Sequence, residues 1–283
     1  MSKIAVIGLA GESVFLTVRK FHEGGETIEA DTLETQPGGK GFNQAVAARR
    51  AGADVAFLAA VGKDAYAAYL RKFLSTEKIR FRLCEKEDRT AYAAIIIDGQ
   101  GRNRVTEYIG AQLEEQDVED FTEEIANADI LLLSNEVPSE VNEKAALLAQ
   151  KYSTKLIVNP APYRPLTAEV RKTAYLFTPN EYETLGLEDH KNVVVTMGEK
   201  GCCLRSTGKM IPARHVHAVD TTGAGDVFNG YLAAALAEGQ GLSKAAEFAN
   251  VASGIAVTRK GAVTSVPYLE EVKREYGSLS KRT

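Results

Sequence analysis

Cysteine is scarce: there are three, Cys84, Cys202 and Cys203, an odd number with two adjacent. That excludes a disulfide framework and points to a reducing compartment. No apolar run approaches the ~20 residues of a membrane-spanning helix. The four histidines are scattered, and no Cys/His cluster has the spacing of a zinc site. Basic residues are not in excess: 34 Lys and Arg stand against 38 Asp and Glu, a net charge of −4. A general nucleic-acid surface is therefore not expected. There is no internal repeat and no low-complexity segment. MSKIAVIGLAG at the start enters a strand-like segment at once, without a signal-peptide layout, so the expected location is the cytoplasm. In Gly8-Leu9-Ala10-Gly11 the glycines miss the G-x-G-x-x-G spacing, which argues against a nicotinamide enzyme. The 45% apolar and 25% charged fractions are ordinary for a globular protein, and 283 residues allow one large α/β domain or two smaller ones.

Two glycine-rich stretches are informative. In Asp220–Gly230, DTTGAGDVFNG, the small residues Gly223, Ala224 and Gly225 allow a tight turn. Behind them Val227, Phe228, Tyr231, Leu232, Ala235 and Leu236 recur at helical spacing. Asp226 thus falls in a helix's first turn. The free N–H groups of such a start, with the helix dipole behind them, collect anions. A base beside an anion hole suits phosphoryl transfer to an alcohol. Asp near a helix start and Gly in a turn are also common without any chemistry, so a second constellation has to decide.

That constellation is Pro37-Gly38-Gly39-Lys40-Gly41-Phe42-Asn43-Gln44, running into a small-residue helix. Lys40 and Asn43 lie about one turn apart and can face one pocket. Gly41 after the lysine rules out a Walker loop, which needs Ser or Thr there.

The rest predicts an α/β alternation. Strands are expected at 54–61, 79–84, 130–133, 155–158, 175–178 and 192–196, with helices at 64–74 and 139–150. An acidic helical stretch, 114–129, reads as a solvated face. Alternating strands and helices predict a parallel sheet with helices on both faces, whose ligands gather at the strands' carboxyl ends. Glu136, Asn159, Asn180, Glu183, Thr196 and Gly198 all fall there. The strand-like segments 14–18, 27–35, 90–97 and 103–109, the last two around Asp98-Gly99-Gln100-Gly101, do not fit that alternation and are assigned to a separate small β-sheet. His215 and His217 read as packing or surface residues in a strand leading to Asp220.

With PGGKGFNQAVAA, NPAP, TPNE, DTTGAGDVFNG and VTRKGA in this order, the chain resembles the ribokinase, or PfkB-type, carbohydrate kinase family nearly end to end. The resemblance implies a doubly wound, mostly parallel α/β domain (1–12, 37–89 and 110–283) with a small β-sheet lid (13–36 and 90–109). It implies ATP-dependent phosphorylation of a primary alcohol on a sugar or sugar-like substrate, and a homodimer formed through the lid. No nucleic-acid or membrane partner is expected. Asp226 would be the base, with Gly223, Ala224 and Gly225 as the anion hole. Ser13, Gly39, Lys40, Asn43 and Glu136 would surround the substrate. Asn180 and Glu183 would organise Mg²⁺ and its waters, and Thr196, Gly198, Gly225 and Asn250 would lie around the nucleotide. Asp220, Thr222, Ala256, Arg259, Gly261 and Ser265 resemble the loop pair that binds a monovalent cation, here expected to be K⁺.

Two departures stand out. The family usually carries Asn-x-Asp after the first strand, where this chain has Gly11-Glu12-Ser13. Ser13 cannot accept two hydroxyls as a carboxylate does, a loss of about 1.5–3 kcal/mol on a diol. Glu12, next to it in a strand, would face the other way. Plain ribose, or a nucleoside held by its ribose diol, is therefore disfavoured. Between Glu183 and Val193 there is room only for a loop, where the family commonly has a helix. The competing functions are a nucleoside or modified-nucleoside kinase of the same family and a catalytically silent binding protein with regulatory function.

Overall fold

Apolar runs bounded by glycine, proline or polar turns set the strands, and the computed structural model describes residues 1–279. The front half runs β1 (Lys3–Ile7), β2 (Gly11–Thr17), β3 (Thr32–Gly38), α1 (Lys40–Arg50), β4 (Asp54–Gly62), α2 (Ala65–Thr76), β5 (Arg80–Lys86), β6 (Ala91–Ile97) and β7 (Asn103–Tyr108). It continues as α3 (Glu115–Glu119), α4 (Thr122–Ala126), β8 (Ile130–Ser134), α5 (Ser139–Tyr152), β9 (Lys155–Asn159), α6 (Ala168–Thr173) and β10 (Leu176–Phe177). The chain closes with β11 (Val194–Thr196), β12 (Cys202–Leu204), β13 (Lys209–Ile211), α7 (Ala224–Ala237), α8 (Leu242–Ala256) and α9 (Leu269–Leu279).

Six strands form a parallel sheet in the order β10-β9-β8-β1-β4-β5. Its residues alternate between two cores. Ile4, Val6, Val55 and Phe57 pack toward α1, α2, α7 and α8, whereas Ala5, Ile7, Leu58 and Leu131 pack toward α3–α6. Both faces are thus covered, as a fully buried parallel sheet requires. The strand order reverses beside β1, and the chain segments that follow β1 and β8 and precede α1 and α7 meet at that switch.

The irregular front segments form a second, four-stranded sheet in the order β3-β2-β6-β7. Its outer pairs are antiparallel and its central pair, β2 with β6, is parallel. No helix among the described residues is long and apolar enough to cross a membrane.

Several elements differ from the sequence expectation. The strand expected at 27–35 starts only at Thr32, where pairing with Thr17 begins. The acidic stretch 114–129 is two short helices, because Phe121, 1% exposed, turns into the core between them. His215 and His217 are exposed in an extended segment with no strand beside it among the described residues, so they lie in none of the three sheets. The strand expected at 192–196 is β11, which joins a separate hairpin sheet, β11-β12-β13, and touches the main sheet only through the bridges Phe177↔Val193 and Asn180↔Thr196. Turns and no helix connect Asn180 to Val193, as the short spacing predicts.

Candidate active site

The two glycine-rich stretches meet. Gly39 adopts φ 95°, and a Cβ there would lie 2.4 Å from the Leu9 carbonyl oxygen. Only glycine lets the chain pass this close and open α1 at Lys40. Gly223 caps α7 at φ 74°, placing Asp226 in the first turn. The Asp226 carboxylate is buried, 7% exposed. The side-chain amide of Asn43 donates to its Oδ2 at 3.0 Å, and that of Gln44 to its Oδ1 at 3.0 Å. Gln44 also donates to Asn159 Oδ1 at 3.1 Å, tying the pair to the end of β9. The backbone N–H groups of Gly225 and Asp226 donate to no group among the described residues. They are the free donors of a helix start.

Glu136, just past β8, clamps the start of α1. Its carboxylate accepts from the Lys40 N–H at 2.8 and 3.0 Å, from the Gly41 N–H at 3.3 Å and from Ser134 Oγ at 3.3 Å. Burial pushes its pKa up to about 7, against the pull of Lys40 and the backbone donors. Burial likewise raises Asp226, opposed by Lys40, Asn43 and Gln44. Desolvation alone would lower Lys40, but Asp226, Glu136, Glu107 and Glu183 outweigh it and hold its ammonium above the ordinary value.

A cavity of about 210 Å³ lies between the main sheet and the four-stranded sheet, and Ser13, Gly39, Lys40, Asn43, Glu136 and Asp226 line it, with Thr222 and Gly223 at its edge. A buried carboxylate of raised pKa can accept a proton here, and the free amides beside it can hold an anion.

The remaining expected residues fall around this cavity rather than on it. Asn180 and Glu183 close on each other: Glu183 accepts from the Asn180 N–H and side-chain amide at 2.9 Å each, while Asn180 Oδ1 accepts from the Tyr182 and Glu183 N–H groups. Glu183 keeps free lone pairs, enough for water-mediated contact with a cation but not for a cage. Thr196 hydrogen-bonds through its N–H to the Pro179 carbonyl at 2.9 Å, and Gly198 takes φ 55°. Asn250 is buried and its amide donates to the Ile211 carbonyl at 3.1 Å, beside a separate cleft bordered by Arg214.

The loops before α7 and after α8 pack together through Asp220. Its carboxylate accepts from the Thr222 N–H at 2.9 Å and the Gly261 N–H at 2.8 Å, and the Val257 carbonyl accepts from the Val219 and Asp220 N–H groups. The carbonyls of Asp220, Thr222 and Gly261 accept no hydrogen bond among the described residues, a donor set that fits a monovalent cation. Ala256 already accepts from the Arg259 N–H, the Arg259 side chain pairs with Glu271, and Ser265 donates to Ala262.

Residues 1–269 match the pfkB family carbohydrate kinases. The chain belongs to that family. It is 34% identical to the ribokinase of Bacillus subtilis, covering 96% of this kinase and 99% of the relative. Among solved structures it is similar to the ribokinase of Thermotoga maritima, with a TM-score of 0.88, 32% identity and coverage of 98% and 100%. It is also similar to the Arabidopsis thaliana ribokinase complexed with ribose and ATP, with a TM-score of 0.85, 25% identity and coverage of 98% and 99%. The chain is a carbohydrate kinase, with the doubly wound fold expected of one.

Sequence reasoning about this kinase missed the contacts of Gln44 and Ser134. Gln44 sits in PGGKGFNQ, and a polar side chain inside an otherwise small and apolar helix was the available signal. Glu136 also gives a stability prediction. Its folded-state pKa lies above the unfolded 4.5, so its contribution is full below pH 4.5 and is lost as pH rises to about 7. Urea unfolding across that window should show a decline in stability that is smaller in Glu136→Gln. Equal declines would remove Glu136 as the cause.

Proposed function

We propose that this kinase transfers the terminal phosphoryl group of ATP to a primary hydroxyl of a sugar, with Asp226 as the base. The observation that supports this most is the Asp226 carboxylate, buried yet lining the cavity, held by Asn43 and Gln44 beside the free amides of Gly225 and Asp226. Asp226 takes the proton of the acceptor hydroxyl as its oxygen bonds to the terminal phosphorus. The bond from that phosphorus to the bridging oxygen breaks, and the freed oxygen leaves with ADP. The Gly225 and Asp226 amides at the α7 start hold the charge on the transferred group, whereas the N–H of Ala224, expected in the same anion hole, already donates to the Thr221 carbonyl at 3.3 Å. Lys40 and Asn43 position the acceptor, and Glu136 fixes Lys40 through its backbone.

Asn180 and Glu183 would hold Mg²⁺ through water, where the ion neutralises phosphate charge. Thr196, Gly198, Gly225 and Asn250 would border the nucleotide. The loops with Asp220, Thr222, Ala256, Arg259, Gly261 and Ser265 would bind K⁺ through their carbonyls. Because the loop carrying Asp220 leads into the anion hole, exchanging Na⁺ for K⁺ should raise the rate. Equal rates in both salts would remove the cation from this account. The protein is proposed to act in the cytoplasm as a dimer through the four-stranded sheet, whose outer face carries the half-exposed Val14, Leu16 and Ile96 and the 68% exposed Leu33. The decisive assay is ADP release from Mg·ATP across pentoses, hexoses, alditols and nucleosides. ATP binding without release on any acceptor would overturn the kinase assignment for this chain.

A further inference from the structure

Ser13 does not restore the carboxylate that its position lacks. Its Oγ lies over Gly38, where a Cβ would come within 2.1 Å of it. Glu12 does not restore it either. In β2 it shares a face with Val14 and Leu16 rather than with Ser13, and its charge, after desolvation, raises the phenol of Tyr66 on α2.

The register of the four-stranded sheet supplies another candidate. Ser13 of β2 pairs with Ala93 of β6, and Ala93 pairs with Glu107 of β7. Side chains in one such row share a face. Glu107 therefore lies on the same face as Ser13, two strands away, or about 10 Å, and it lines the same cavity. Glu107 is exposed and makes no hydrogen bond or ion pair among the described residues. Its charge reaches Lys40 across the cavity. An unpartnered carboxylate on a cavity wall can accept two hydrogen bonds from neighbouring hydroxyls.

The balance of charge narrows the ligand. Three carboxylates, from Glu107, Glu136 and Asp226, border this cavity, and Lys40 is the single cation among its lining residues. A second anionic group on the acceptor would sit in an acidic wall with no cation of its own.

We propose that Glu107 is a specificity-determining residue that grips adjacent hydroxyls of the acceptor from the lid side and selects neutral polyhydroxy sugars over their phosphorylated or acidic counterparts. This rests on the sugar-kinase assignment above.

The test measures binding by calorimetry, separately from ADP release, on the full chain and on Glu107→Gln and Glu107→Ala. The probes are neutral pentoses, hexoses and alditols and their terminal phosphates. At least one neutral sugar should bind ten times more tightly than its phosphate. Both variants should weaken that sugar about 10- to 100-fold, the range for losing a charged acceptor. KM should rise more than kcat falls, and the melting temperature should stay put, since no intramolecular partner is lost. Unchanged affinity in both variants, tighter binding of the phosphates, or no binding of any sugar in the panel would overturn the inference. Sugar binding that weakens in the variants while the wild type releases no ADP would support it and sink the kinase assignment instead.

Discussion

Asp226→Asn should lower kcat by about 10²–10⁴-fold, the usual contribution of a positioned general base, while ATP still binds. The carboxylate accepts one amide hydrogen bond on each oxygen, from Asn43 and from Gln44. An asparagine fills the same space but turns one acceptor into a donor. Asn43 can accommodate this by rotating its amide, because its Oδ1 is buried without a partner. The fold is therefore kept, and so are the backbone amides of Gly225 and Asp226 that would face the phosphates. The loss then reads as chemistry rather than unfolding. The pH profile gives an independent check. Burial raises the Asp226 pKa, so kcat/KM of the wild type should rise with pH as this carboxyl ionises, and the residual rate of the variant should lack that limb. A variant within tenfold of wild-type kcat would remove Asp226 from the role of base.

Much of this site was legible in the chain because glycine and short polar residues leave local signatures. Gly39 and Gly223 mark two helix starts, and both carry positive φ. Asp64, at the head of the expected helix 64–74, caps α2 by accepting from the Ala67 N–H. What stayed hidden is what distance along the chain conceals. Asn43 and Asp226 are 183 residues apart, and only the family resemblance put them in one pocket. Glu107 was hidden for a different reason. In an alternating hairpin it reads as the wet face of a strand, and periodicity cannot tell bulk water from a cavity. The segment after Ile211 misled in the opposite direction, since His215 and His217 alternate as a strand would but pair with no strand among the described residues. Strand pairing is a property of the partner as well as of the segment.

Gly230→Val should both destabilise the kinase and depress its turnover, through one contact. Gly230 lies in α7 against α1, and a Cβ there would meet Ala47 Cβ at 2.4 Å, the Ala48 nitrogen at 2.6 Å and the Gln44 carbonyl oxygen at 2.7 Å. Two of the three obstacles are backbone, so relief requires α1 itself to move. Even Gly230→Ala should cost about 1–3 kcal/mol, the range for overpacking a core, although Gly to Ala within a helix ordinarily stabilises by roughly 0.5–1 kcal/mol. Valine adds two methyl groups and a stiff χ1 and should cost more. Gly254→Ala in α8 is the contrast. There the nearest neighbour, Arg214 Cβ, lies 3.5 Å from the added carbon, and the ordinary helix gain should appear. The same chemical change is thus expected to carry opposite signs at 230 and 254 in urea unfolding. The helix that Gly230 admits also carries Lys40, Asn43 and Gln44, so displacing it separates the Asp226 carboxylate from its two donors. In the fraction that remains folded, kcat of Gly230→Val should fall at least tenfold. A variant as stable and as active as the wild type would mean that close packing of α1 on α7 does not hold the base in place.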